Sequence, residues 1–405
     1  MTTMTLADLY SADTYAQAMP HDTFDVLRRE DPVHWQPEPE GQGYWALTRY
    51  EDIVGVSSDN ELFSSARGGT NLEDLGDDAL TMIRTLLINM DPPKHTQYRK
   101  LVATGFTPKM VRQLEPHVRQ ITKQIVDSVA SKGSCDFVTD VAAQLPLAVI
   151  CEMIGVPPED HHKIFDWSNR LIGFDDPEYH TSPEDGRIAA TEMFMYANAM
   201  AQDRKANPRG DLVSVLMQAE VDGDRLSEAN FDGFFIVLAV AGNETTRNLI
   251  SGAMLALIEH PEQRQRLIDD ANLLPTAVEE FLRYVSPLIY FRRTLQRDVV
   301  VGGRQLREGD KVAMYYPSGN RDGASFDDPH GFDVGRSPNA HMAFGGGGPH
   351  FCLGASLARL EIQCMFEELL SRLPDIELAG PVDRLRSNFI NGIKHMPVRF
   401  TPLRG

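Results

Sequence analysis

Cys352 stands where a thiol can become a ligand: between the glycine run Gly345–Gly348 and an apolar-periodic stretch through Leu357, Leu360 and Ile362. A thiol at a helix start meets unpaired backbone N–H groups and the positive end of the helix dipole, which favour thiolate and make it a plausible metal ligand. The glycines of Phe344-Gly345-Gly346-Gly347-Gly348-Pro349-His350-Phe351-Cys352-Leu353-Gly354 let the backbone come close to something large and flat, and N–H groups aimed at the sulfur would tune its electron donation. A lone cysteine at a helix start is more often simple core, so the setting has to carry the reading. A phosphate loop is rejected, because no Lys-Ser/Thr pair follows the glycines and Pro349 removes a donor.

Three other groupings are chemically loaded. Ala241-Gly242-Asn243-Glu244-Thr245-Thr246 interrupts the apolar run Phe234–Val240. There Thr245 can bond back to the carbonyl of Ala241 and open the helix slightly, making a groove with Gly242. A polar notch packed on a neighbouring helix is the plainer alternative. Asn243-Glu244-Thr245 also fits a glycosylation pattern, a false hit in a buried cytoplasmic helix. His95 and Arg99 are spaced i,i+4 and can reach one anion, while Glu280 and Arg283 are spaced i,i+3. Alone, either pair reads equally as a solvated helix face.

The elements that must position these groups are mostly helices, with amphipathic segments recurring from about residue 75 to residue 375. Ser227 and Glu228 mark a helix start and Pro261 a stop, which predicts a helix about 48 Å long crossing the molecule. Short β signals are Pro32–Trp35 with Tyr44–Leu47, Val299–Val301 before Gly302-Gly303, Lys311–Tyr315, and Val398–Phe400. The expected fold is mainly α with small β-sheets, one large domain over residues 1–405 built on a long central helix.

Composition narrows the function. Lys+Arg number 39 against 58 Asp+Glu, a formal charge of -19 that repels nucleic acid and anionic membranes. With 42% hydrophobic, 8% aromatic and 24% charged residues, the chain falls among ordinary globular proteins. Cys135, Cys151, Cys352 and Cys364 include no C-x-x-C pair and no zinc spacing. Met1 to Asp13 has neither a basic nor an apolar leader region, so the expected location is cytoplasmic. The most apolar stretch, Phe234–Gly242, is about nine residues, against roughly 20 for a bilayer span. No membrane span is expected, and a monomer is the default.

The cysteine loop resembles the heme-binding loop of the cytochrome P-450 superfamily, heme-thiolate monooxygenases whose cysteine is the proximal iron ligand. Three further motifs agree: Glu280-Phe281-Leu282-Arg283 is similar to the family's E-x-x-R motif, with Arg336 as the third member of its salt-bridge network. Ala241–Thr246 resembles the acid-alcohol signature of the oxygen-binding helix, and His95 with Arg99 the H-x-x-x-R pair for a heme propionate. These matches run in family order over most of the chain. The spacing from Phe344 to Cys352 is one residue longer than the commonest loop.

The resemblance implies heme b held through Cys352, with Phe344, Gly354, Ala241 and Gly242 beside it and His95, Arg99, Arg293 and His350 on its propionates. Arg293 is preferred over Arg292 by register alone. It further implies catalytic roles for Glu244 (proton relay) and Thr245 (stabilising the bound peroxide), structural roles for Glu280, Arg283 and Arg336, and a substrate pocket including Leu87, Val237, Ala241, Leu288, Ile289, Phe389 and Ile390. Met193, Phe194, Met195, Tyr196 and Met200 offer an adaptable apolar wall, although such a stripe is more often core. The implied reaction is hydroxylation of a bulky lipophilic molecule (steroid, terpenoid or branched lipid) with O2. Asn388–His395 and Gly105–Pro108 are similar to segments of steroid- and branched-lipid-oxidising members. No G-x-G-x-x-G follows a strand, so electrons must come from a separate donor, a ferredoxin with its reductase. Lys94, Lys100, Lys109 and Arg112 are candidates to dock it, or else ordinary solvated cations. A heme-thiolate peroxygenase or isomerase, and a non-catalytic heme-binding protein, are the competing readings.

Overall fold

The computed structural model describes residues 5–179, 182–218, 220–221 and 224–403. Met1–Met4, part of the amino-terminal reading above, lie outside them. Eight helices position the site: α1 (Lys94–Ala103), α2 (Pro108–Ala130), α3 (Gln144–Ile154), α4 (His161–Ile172), α5 (Pro183–Ala206), α6 (Glu228–Glu259), α7 (Leu274–Val285) and α8 (Ala355–Arg372).

The central helix α6 runs for 32 residues. It starts where the Ser227 hydroxyl accepts the Asn230 N–H and stops where Pro261 cannot continue it. Helices α3, α4, α5, α7 and α8 all pack against it. Its neighbours come close where side chains are missing: a Cβ on Gly242 would fall 2.8 Å from Ile150 of α3. Gly242 therefore serves helix packing, and the groove expected from it is filled by Ile150.

A five-stranded sheet flanks the helices in the order Val33–Gln36, Tyr44–Leu47, Lys311–Tyr315, Tyr290–Leu295, Phe63–Ser64. Val299–Val301 and Arg304–Leu306 form a hairpin across Gly302-Gly303, both of positive φ. Pro397–Arg399 pairs with Ser134–Asp136, and Asp383–Arg384 with Ile393–His395. Early and late parts of the chain thus share sheets. Tyr290–Leu295 had no β signal of its own, because two arginines occupy its centre; both are buried. Among the described residues no helix is long and apolar enough to cross a membrane.

The Glu280–Arg283 pair is fully buried, both residues at 0% exposure. Arg283 grips Glu280 with two bonds, of 2.7 and 2.8 Å, and donates to the carbonyls of Asn320, Pro329 and Gly331. Arg336 bonds the same carboxylate at 3.1 Å and the carbonyls of Asp328 and Gly331. The Asp333 N–H and Asn339 amide complete the acceptor. Every lone pair of one buried carboxylate is used, and the irregular chain 320–339 leading to the cysteine loop is folded around it. Breaking such a pair leaves unmatched buried charge, at a cost of about 3–5 kcal/mol. Glu280→Gln is expected to lose that much stability in urea unfolding of the heme-loaded protein; a loss below about 1 kcal/mol would contradict this role.

Candidate active site

The cysteine loop is shaped from behind. Gly345, Gly347 and Gly348 adopt φ of +98, +99 and +76°, a region side chains disfavour. A Cβ on Gly348 would meet the carbonyl of Ser57, and one on Gly346 would sit 3.1 Å from the Ser57 Cβ. The Ser57 hydroxyl donates to the carbonyl of Gly347. The close backbone approach these glycines permit is therefore to the helix Tyr50–Ser58. The cysteine end is closed by the Cys352 N–H, which donates to the Phe344 carbonyl at 2.9 Å. The Phe344 ring lies 4.6 Å from the Arg359 guanidinium. Gly354 caps α8.

Cys352 is exposed, whereas Cys151 and Cys364 are buried and Cys135 is half-buried. Although Cys352 keeps accessible surface, the protein packed around its thiol desolvates it and pushes it up; the Gly354 N–H, Arg99 and Arg359 act in the opposite direction. The Gly354 N–H acts in the direction expected of a helix start, and a bound metal would displace the proton. Burial also pushes Cys135, Cys151 and Cys364 up, each to about 12. Among the described residues no cluster of three or more His, Cys, Asp or Glu could hold a metal; a metal on Cys352 needs most of its ligands from elsewhere, as a porphyrin supplies them.

Beside the thiol gather two arginines and two imidazoles, with little negative charge set against the arginines. The His95 and His350 rings are 4.1 Å apart. Arg293 is 1% exposed, and its one hydrogen bond goes to the carbonyl of Arg292. Arg99 donates to the carbonyl of Phe351. Burial, then the Arg99 charge, lowers His95 to about 4; burial, then Arg293, lowers His350 to about 2. The nearest acid, Asp91, is taken by Ser64 and the N–H of Ser65. The Arg293 Nε and His95 Nδ1 are buried with no partner. Two arginines beside two imidazoles, with the Arg293 Nε and His95 Nδ1 still open, fit a group bearing two carboxylates, which is what heme offers. Strand alternation separates Arg292 from this cluster: it pairs with Asp74 at 3.0 Å and with the carbonyls of Leu72 and Glu73.

On α6, Ala241 is exposed in mid-helix although Ala239, Asn243 and Glu244 are buried. The Thr245 hydroxyl donates to the Ala241 carbonyl at 2.9 Å. Glu244 turns elsewhere. It is 1% exposed and ion-paired with Arg247, whose other arm donates to Asn169 of α4 at 2.8 Å. Burial raises the Glu244 carboxyl, opposed by Arg247. The sequence puts acid and alcohol side by side; the helix sends them in different directions. Arg247 was missed, and its signal was an arginine three residues after an acid in an apolar helix.

Of the pocket candidates, Val237, Ala241 and Leu288 keep accessible surface, and Leu87 and Phe389 little. Ile289 and Ile390 are sealed in a cluster with Tyr290 and Tyr315 and offer a ligand no wall. The α5 stripe is not a wall either: Met193 and Met200 are core, Met195 faces out, and Tyr196 bonds Asp160. Lys94, Lys100, Lys109 and Arg112 are exposed and make no ion pair among the described residues.

Comparison with known proteins places this geometry. The cytochrome P450 family model matches residues 184–374. The chain is 43% identical over 388 residues to a methyl-branched lipid omega-hydroxylase of Mycobacterium tuberculosis, covering 93% of this chain and 90% of the relative. It is 41% identical over 407 residues to a steroid C26-monooxygenase of Rhodococcus jostii, covering 98% and 85%. A Mycobacterium marinum cytochrome P450 solved with pseudoionone superposes with a TM-score of 0.92 at 39% identity, covering 99% of this chain and all of that one. With a cysteine loop, a charge cluster suited to propionates and a notched central helix in one fold, the chain belongs to the cytochrome P450 family and is a heme b monooxygenase.

Proposed function

We propose that the protein hydroxylates a bulky lipophilic molecule, a steroid, terpenoid or branched lipid, with O2 and with electrons from a ferredoxin and its reductase. The observation that carries the site assignment is the exposed Cys352 thiol beside the unneutralised cluster His95, Arg99, Arg293 and His350. Cys352 is the metal ligand, and the cluster holds the propionates. The lipophilic substrate class is supported by the names of the relatives, a methyl-branched lipid hydroxylase and a steroid monooxygenase.

Heme held through a thiolate supplies oxygen activation, placing one atom of O2 in a C–H bond as two electrons arrive. The balance RH + O2 + 2 e− + 2 H+ → ROH + H2O calls for two protons, and the chain must deliver them. Thr245 stands beside the exposed Ala241 on α6; by letting go of the Ala241 carbonyl its hydroxyl can accept and pass on a proton at Oγ1. Glu244 is the reserve acid behind it. Arg247 keeps that carboxyl partly compensated in a site where burial favours its protonated form. Val237, Ala241 and Leu288 orient the apolar substrate and exclude water. Lys94, Lys100, Lys109 and Arg112, with exposed Met110 and Phe351 among them, form the docking face for an acidic donor.

Two outcomes are expected. Titration of the ferric holoenzyme with steroids, methyl-branched fatty acids, terpenes and small aromatics should move the heme toward high spin with the first two or three classes. A response confined to small aromatics overturns the lipid reading. Thr245→Ala should bind substrate as tightly as the parent yet divert electrons to peroxide, lowering product per electron pair about ten-fold or more. Unchanged coupling removes Thr245 from proton delivery.

A further inference from the structure

The chain that follows α4 folds back and is tied to the hairpin built on Asp383–Arg384 and Ile393–His395. Gly173 gives its N–H to Asn169, and Tyr179 closes over Gly173, where a Cβ would come 2.8 Å from the ring. Lys394 Nζ lies 2.9 Å from Glu178, 3.2 Å from the buried Asp176 and 3.5 Å from Asp383. Arg386 gives its N–H to Asp176 and its guanidinium to the carbonyl of Asp175. None of these charges takes part in the chemistry described above.

His395 stands between two carboxylates. Its Nδ1 is 3.1 Å from Asp136 and its Nε2 2.8 Å from Glu178. Asp136 belongs to the sheet shared with Pro397–Arg399, and Glu178 to the returning segment. A neutral imidazole has one N–H and one lone pair, so it bonds one carboxylate and turns a lone pair on the other; only the imidazolium donates to both. Burial pulls the ring's pKa down, but Glu178 and Asp136 outweigh it and leave it raised. The other charges around it are Lys394, with Asp176 and Asp383 upon it, and Asp140, which accepts the Asp136 N–H.

The same hairpin governs one wall of the pocket. Ile390 pairs with Leu288 in a β-bridge, and the Phe389 carbonyl accepts the Ile289 N–H at 2.9 Å. Residues 175–178 and Leu288 are therefore held by one short piece of chain.

We propose that Lys394 and His395 are positioning residues for the pocket wall at Leu288, strapping residues 175–178 to the hairpin that carries Phe389 and Ile390, with the strap complete only while His395 holds its proton. This rests on the reading of Leu288 as pocket wall. Because the raised group is a histidine, the tie is at full strength below the ordinary value of about 6.5 and is lost as pH rises through the folded-state value.

The test uses heme-loaded parent, His395→Gln and Glu178→Gln. Amide exchange of residues 173–179, corrected for intrinsic rate, should quicken about five-fold from about pH 6 to about pH 8.5 in the parent. In both variants it should be fast at either pH, with α6 protected as before. Stopped-flow binding of phenylimidazole, a heme ligand that presumes nothing about the substrate, should speed up by a similar factor in both directions in His395→Gln at the lower pH. Equal exchange in parent and variant overturns the strap. Quickened exchange with unchanged phenylimidazole kinetics overturns its link to the pocket. Neither readout uses a lipid, so a failure of the substrate assignment remains separate.

Discussion

A buried cation needs an anion, and Arg293 has none in contact. At 1% exposure, with an unpartnered Nε among the described residues and two imidazoles driven toward neutrality beside it, it is a point where the folded chain is electrostatically unfinished. Burying such charge is costly unless something bearing carboxylates completes it. The proposed site follows from that constraint: a flat cofactor bearing two carboxylates would satisfy the cluster and take Cys352 as its metal ligand. That thiol is held up by burial in the protein alone, so metal binding and deprotonation are one event.

The contrast with Glu280 shows how the fold sorts its buried charges. There the carboxylate meets two arginines, an amide and a backbone N–H, and nothing is left over. A finished network fixes a backbone. An unfinished one awaits a ligand. The loop between them, from Asn320 to Cys352, is pinned at its start by the first and ends beside the second. Its glycines allow it to lie on the Tyr50–Ser58 helix, and it delivers the cysteine to the start of α8.

Much of this was legible in the sequence because it is local. Ser227 and Pro261 bounded α6, the β signals became strands, and glycines marked the cysteine loop. What was not legible depends on direction in space. Adjacent residues on a helix diverge by about 100°, so Glu244 and Thr245 part company, and the partner of Glu244 is Arg247, three residues on. Gly242 looked like an opening, but Ile150, distant in sequence, fills it. Ile289 and Ile390 looked like a wall, yet an aromatic-rich cluster assembled from distant parts of the chain seals them. The strand Tyr290–Leu295 hid because charged residues in a central strand carry no β signature until their partners are known. Even there alternation resolved Arg292 from Arg293, one toward Asp74 and one toward the imidazoles.

The most direct test of the account is the absorbance of the reduced, heme-loaded protein under carbon monoxide, taken for the parent and for Cys352→His. The account predicts a Soret band shifted far to the red in the parent, the mark of a thiolate opposite the gas, and its return to the ordinary position in the variant. A parent band at the position typical of imidazole ligation, or a variant that keeps the red shift, would contradict the assignment of Cys352.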